Sequence, residues 1–115
     1  VIEDPKPEEA RKHDGGKARY DLLPAGPIHE IVEVFTFGAK KYHDYNYLGL
    51  DQARIFAALL RHVFAWWRGE ELDEESGKPH LAHAGCCILM LRHQETQNVV
   101  QNRNQKQKKL QPVRP

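Results

Sequence analysis

Two groups of acids and a pair of histidines stand at spacings that could serve a divalent cation. Glu30 and Glu33 form an E-x-x-E pair inside a segment of helical periodicity, so both lie on one side of a helix. Alone such a pair is commonplace on solvated helix faces; its interest comes from a second cluster later in the chain. Gly69-Glu70-Glu71-Leu72-Asp73-Glu74-Glu75-Ser76-Gly77 packs five acids between two glycines. Hard cations such as Mg2+ and Mn2+ take carboxylate oxygens, whereas composition alone allows a solvated connector. The spaced D-x-D-x-D-G ladder of a calcium EF-hand is missing. His80 and His83 follow at i and i+3, with Cys87 one turn later on the same face. That trio admits a small zinc-binding helical adaptor, although the pattern supplies no fourth ligand. His62 lies mid-stripe between Leu59 and Trp66, the usual place of a hydrogen-bonded core histidine; orienting a carboxylate or touching phosphate is its alternative role.

Cations accompany the acids. Gly15-Gly16-Lys17 is not a P-loop, because Ala18 stands where Ser or Thr would hold Mg2+ and the upstream glycine is absent. Lys17 and Arg19 beside those glycines, and Lys40 and Lys41 at the end of the first helix, are the candidate phosphate contacts. The formal net charge is only +1. A nucleic-acid polymer would call for a larger basic excess, so acids for a metal plus a few cations point to a small phosphorylated ligand.

These side chains need helices to position them. Pro27 suits a first helical residue with Gly26 as N-cap, and Ile28, Ile31, Phe35 and Tyr42 then share a stripe with Val32 and Ala39 beside it. Glu30, Glu33, Phe37, Lys40 and Lys41 occupy the other side, and the helix should end near Tyr42. After a Tyr-, Asn- and Gly-rich loop, Asp51 is the N-cap of a second helix ending at Gly69, with Ile55, Phe56, Leu59, Leu60, Val63, Trp66 and Trp67 on a wide apolar arc. Arg54, Arg61 and Arg68 recur every seven residues on its polar side. A third helix from about Pro79 through His93 has Leu81, Ala84, Cys87, Ile88 and Leu91 as its expected buried arc. No segment alternates as a strand. The expected organisation is a flexible lead (1–12), one all-α domain (13–96) and a polar tail (97–115).

At 115 residues the chain suits one domain that buries roughly two-thirds of its extended surface. Hydrophobic residues make up 40% and charged residues 29%, and no apolar run is long enough to span a membrane. The charged, Pro-containing start does not read as a secretory signal, and the adjacent Cys86 and Cys87 suit a reducing compartment, so a cytoplasmic protein without membrane partners is expected. Three helices are a thin core, and the two tryptophans on the wide arc suggest a subunit interface, hence a homo-oligomer.

Several ordered motifs together resemble a known family. They are Asp14-x-Gly16-Lys17-x-Arg19-x-Asp21-Leu22-Leu23-Pro24, Phe37-Gly38-Ala39-Lys40-Lys41-Tyr42, Asn46, Arg61-His62, and Gly69-Glu70-x-x-Asp73-x-Glu75-x-Gly77-x-x-His80-Leu81-Ala82-His83-Ala84. Across residues 12–93 the chain resembles the phage dATP/dGTP diphosphohydrolase domain, grouped with the MazG-like all-α nucleotide pyrophosphohydrolases. The resemblance implies a helical bundle, a Mg2+ or Mn2+ site between helices, and a dimer or tetramer. It implies hydrolysis of a purine deoxynucleoside triphosphate to monophosphate and pyrophosphate, in the host cytoplasm if phage-encoded. Removing dATP and supplying dGMP would favour DNA carrying 2-aminoadenine. A non-catalytic nucleotide-binding regulatory domain is the alternative. Glu30 matches the acid of the first helix, and Glu70, Asp73, Glu75, His80 and His83 match the second cluster. Glu33 completes the E-x-x-E half of the MazG pattern, and either Glu70-x-x-Asp73 or His80-x-x-His83 fills the second half. Asn46 and Tyr47 are the candidates for base or sugar, with Tyr47 standing where Trp is expected.

Overall fold

The computed structural model describes residues 3, 4 and 6–97. Among them the chain is helical: α1 (Ala25–Lys41), α2 (Gln52–Trp67) and α3 (His80–Thr96), with short 3-10 turns at Tyr20–Leu22 and Asn46–Gly49. The β-type pairing among the described residues is a single antiparallel bridge between Leu72 and Pro79. Of the polar tail, residues 98–115 lie outside the described residues. No helix of the described residues is long and apolar enough to cross a membrane.

α1 begins two residues earlier than the sequence suggests. Pro24 is its N-cap, and Gly26 and Pro27 lie inside the first turn. A first-turn proline costs little, because amides there have no intrahelical partner. α2 starts as expected, with Asp51 accepting from the Ala53 amide, and stops at Trp67. Its end is a Schellman motif: the Gly69 amide donates to Trp66 O and the Glu70 amide to Ala65 O. Gly69 supplies the required left-handed residue at φ +98°.

α3 packs against both other helices. Its buried residues are small or polar: His80, Ala82, Ala84, Cys86, Cys87 and Gln94. Leu81 and Ile88, expected in its buried arc, are about half exposed. The reason is close approach. Ala82 and Cys86 meet Val34 of α1 in the core, with Ile31, Phe35 and Met90 packed around them. A Cβ built on Gly85 would come within 2.7 Å of Ile31 Cδ1, so a larger residue there would have to displace the Ile31 side chain. The core stripe of α1 therefore includes Val34, which the periodicity reading missed, while Val32 and Tyr42 are exposed.

Candidate functional site

The acidic segment between α2 and α3 is a built hairpin. The Asp73 amide donates to Lys78 O, the Gly77 amide to Asp73 O, and the His80 amide to Glu71 O. Gly77 takes the left-handed conformation that closes the turn, at φ +72°. Asp73 Oδ2 accepts from the Ser76 amide at 2.9 Å, an Asx-type turn. These bonds fix the Asp73 carboxylate against the start of α3.

Three imidazoles meet it there. His62 on α2 and His80 on α3 face one another, Nδ1 to Nδ1, at 2.9 Å. His62 also stacks on His83, with centroids 4.4 Å apart and planes 13° from parallel. His83 Nε2 lies 2.6 Å from Ser76 Oγ and 3.7 Å from Asp73 Oδ2. Ser76 Oγ also accepts from the Lys78 amide, so the hydroxyl links the hairpin backbone to the His83 ring. Glu70, set by the end of α2, reaches within 3.8 Å of His80 Nε2.

Burial and the neighbouring imidazoles hold His62 well below its ordinary pKa, to about 4, against the pull of Asp73. Burial lowers His83 too, opposed by the Asp73 charge. Both rings are therefore neutral at pH 7, the state that ligates a metal. For Asp73, burial pushes the carboxyl up, but hydrogen bonds from Ser76 and the adjacent histidines outweigh it and hold it below the ordinary range.

One donor from each of His62, Asp73 and His80 lies within 4.8 Å of the others. Two nitrogens about 2.1 Å from one ion in adjacent coordination positions would stand roughly 3 Å apart, so the 2.9 Å between the imidazoles fits a shared cation. Two nitrogens and a carboxylate suit a cation that accepts imidazole beside oxygen, which Mn2+ does more readily than Mg2+, whose shell favours oxygen throughout. His62, read from sequence as a core histidine, is the addition to the expected set. Its signal was the Arg61-His62 pair within the motif series. Cys87 is not in the triad; burial pushes its thiol up to about 11 and that of Cys86 to about 12.

The remaining candidates divide. Glu33 is bonded to Lys78 of the hairpin at 2.7 Å, which holds its carboxyl below the ordinary range, and it lies 3.6 Å from His29. Glu30 is partly buried on the same helix. Neither belongs to the triad. Lys41 pairs with Glu75 and lines a cleft between the three helices, whereas Lys40 is exposed. Lys17 is exposed, and Arg19 is engaged by Asp21 at 2.6 Å in the N-terminal segment. Neither lines the two clefts beside the triad. Asn46 and Tyr47 belong to the turn under the far end of α3. There the Tyr47 hydroxyl meets His93 Nδ1 at 2.6 Å, and Gln94 Nε2 donates to Tyr47 O and Leu50 O. Tyr47 thus helps lock α3 onto this turn.

Two clefts open beside the triad. One of about 610 Å3 lies between the helices and includes His62, Asp73 and His83; another of about 680 Å3 includes Leu60, Phe64, Asp73 and His80. Both are in the size range of small-molecule sites, roughly 300–1,000 Å3.

No solved structure matches the chain. A dATP/dGTP diphosphohydrolase of Salmonella phage PMBT28 is 32% identical over 80 residues, which are 70% of this chain and 28% of that protein. The chain thus spans less than a third of that relative's length. Residues 7–105 match the family described as dATP/dGTP diphosphohydrolase, N-terminal. With nearly the whole chain matched in this way, the protein belongs to the dATP/dGTP diphosphohydrolase N-terminal family.

Proposed function

We propose that this chain is a metal-dependent pyrophosphohydrolase that converts dATP or dGTP to the monophosphate and pyrophosphate, using Mn2+ in preference to Mg2+. The observation that carries the reading is the His62–Asp73–His80 triad opening onto two clefts of ligand size. The name of the phage relative, a dATP/dGTP diphosphohydrolase, supports the substrate. A divalent cation bound there would supply Lewis-acid polarisation of a phosphoryl oxygen and activation of water.

The chain's own residues do the rest. His62 and His80 offer nitrogen donors and Asp73 an anionic oxygen, each held by the hairpin and by packing. Ser76 and His83 orient that set from behind. Glu70, exposed and 3.8 Å from His80, is the proposed proton acceptor for the attacking water, with Glu30 and Glu33 as the acids facing from α1. Lys41 is a proposed phosphate contact once released from Glu75. The physiological role we propose is purine pool control favouring 2-aminoadenine DNA, and the active form a homo-oligomer.

Product analysis tests this. Incubated with each deoxynucleoside triphosphate and Mn2+ or Mg2+, the chain should release purine monophosphate and pyrophosphate in equal amounts. Diphosphate with inorganic phosphate would overturn the pyrophosphohydrolase reading. Tight nucleotide binding without turnover would make the chain a regulatory binding domain instead.

A further inference from the structure

The inter-helix cleft contains charge that the fold does not use. Six arginines lie among the described residues. Arg11 donates to backbone carbonyls, Arg19 pairs with Asp21, Arg68 with Glu70, and Arg92 with Glu95. Arg54 and Arg61 make no side-chain hydrogen bond or ion pair within the described residues, and both line the cleft of about 610 Å3 that reaches His62 and Asp73. They stand seven residues apart on α2, which puts them on one face about 10 Å apart along the axis. The third cation of the cleft, Lys41, is held by Glu75.

Guanidinium groups left unpaired in a shared cleft are the arrangement that recognises phosphate oxygens, because each fork can make two parallel charge-assisted bonds. A spacing of two helical turns suits a chain of phosphates rather than a single one. Arg61 also acts electrostatically on His62, so one end of the pair lies beside the triad. Three cations against the two carboxylates Asp73 and Glu75 leave the cleft attractive to a polyanion before any metal is bound.

We infer that Arg54 and Arg61 form an oligophosphate clamp in the cleft between α1, α2 and α3, holding the phosphate chain of the nucleotide with its inner end at the triad. This rests on the nucleotide reading above. It moves the principal phosphate contacts from the N-terminal Lys17 and Arg19 to α2. Neither arginine belongs to the core, and both are exposed, so their replacement leaves the helix packing intact.

The test uses inorganic tripolyphosphate as probe and the chain freed of metal by chelation, with binding followed by calorimetry at low ionic strength. Arg54→Ala and Arg61→Ala should each weaken binding about tenfold or more, the range for a lost charged hydrogen bond. Arg54→Lys and Arg61→Lys should lose less, and Arg92→Ala, remote from the cleft, should bind as the parent does. Circular dichroism of each variant should match the parent. If the parent binds no tripolyphosphate, or both alanine variants bind it normally, the clamp is refuted. If the variants lose binding while the parent hydrolyses no nucleotide, the clamp stands and the enzymatic reading falls.

Discussion

Asp73 has two tasks that can be separated by substitution. Its Oδ2 accepts from the Ser76 amide, which shapes the hairpin, and its charge completes the triad with His62 and His80. Asn keeps an acceptor oxygen and removes the charge. Asp73→Asn should therefore fold normally yet lose about 10²-fold in turnover and bind Mn2+ more weakly, the scale seen when a positioned catalytic or ligand-supporting group is removed. Manganese titration by electron paramagnetic resonance reads the affinity independently of turnover. Unchanged Mn2+ affinity and unchanged rate together would take Asp73 out of the site.

At the level of elements, two contacts hold the hairpin and the 3-10 turn onto the helices. Gln94 is fully buried and donates to the carbonyls of Tyr47, which the Leu50 amide also reaches, and of Leu50. Gln94→Ala removes both bonds, leaving Tyr47 O with the Leu50 amide alone and Leu50 O without its side-chain donor. A loss of about 2 kcal/mol is expected, measured by urea unfolding, with turnover per folded molecule little changed. Glu33 and Lys78 tie α1 to the hairpin. Because the Glu33 carboxyl is held below its ordinary value in the fold, its ion pair stabilises the chain above the unfolded carboxylate range, about pH 4.5. That contribution disappears as pH falls through the lower folded value. In chelator, Glu33→Gln should unfold at lower urea than the parent at pH 6, and the two midpoints should converge as pH falls below the unfolded carboxylate range. A constant difference across that range would mean that the effect is not ionic.

Over the whole molecule, apolar surface is the unbalanced quantity. Phe56, Leu60, Phe64 and Trp67 follow one stripe of α2, and Trp67 is 76% exposed. Four such side chains, between 37% and 76% exposed, represent on the order of 4 kcal/mol per chain if covered, and twice that when two copies meet. That is comparable with the 4–15 kcal/mol of lost translational and rotational freedom, so association through this stripe should depend on concentration. Sedimentation equilibrium over a range from about 1 to 100 µM should show mass rising to a dimer or larger. Phe64→Glu should shift it to monomer with helix content unchanged. A parent that stays monomeric throughout would refute the oligomer.

Helix number, helix order and the N-cap at Asp51 were legible in the sequence because each rests on local periodicity or on bonds between neighbours in the chain. The same holds for the acids of the hairpin and for the His80 and His83 spacing, which any helix would bring to one side. The buried face of α3 was not legible. Its small residues are buried because α1 and α3 approach closely at Gly85, and that approach involves Ile31, 54 positions away in the chain. The role of His62 was hidden for the same reason. A histidine between Leu59 and Trp66 reads as core until α2 is packed against α3, and only that packing sets His80 at 2.9 Å and His83 in stack. Residue types and intervals offered the acids, histidines and cations. Which side chains meet was decided by contacts between helices far apart in sequence, whose geometry no local pattern encodes.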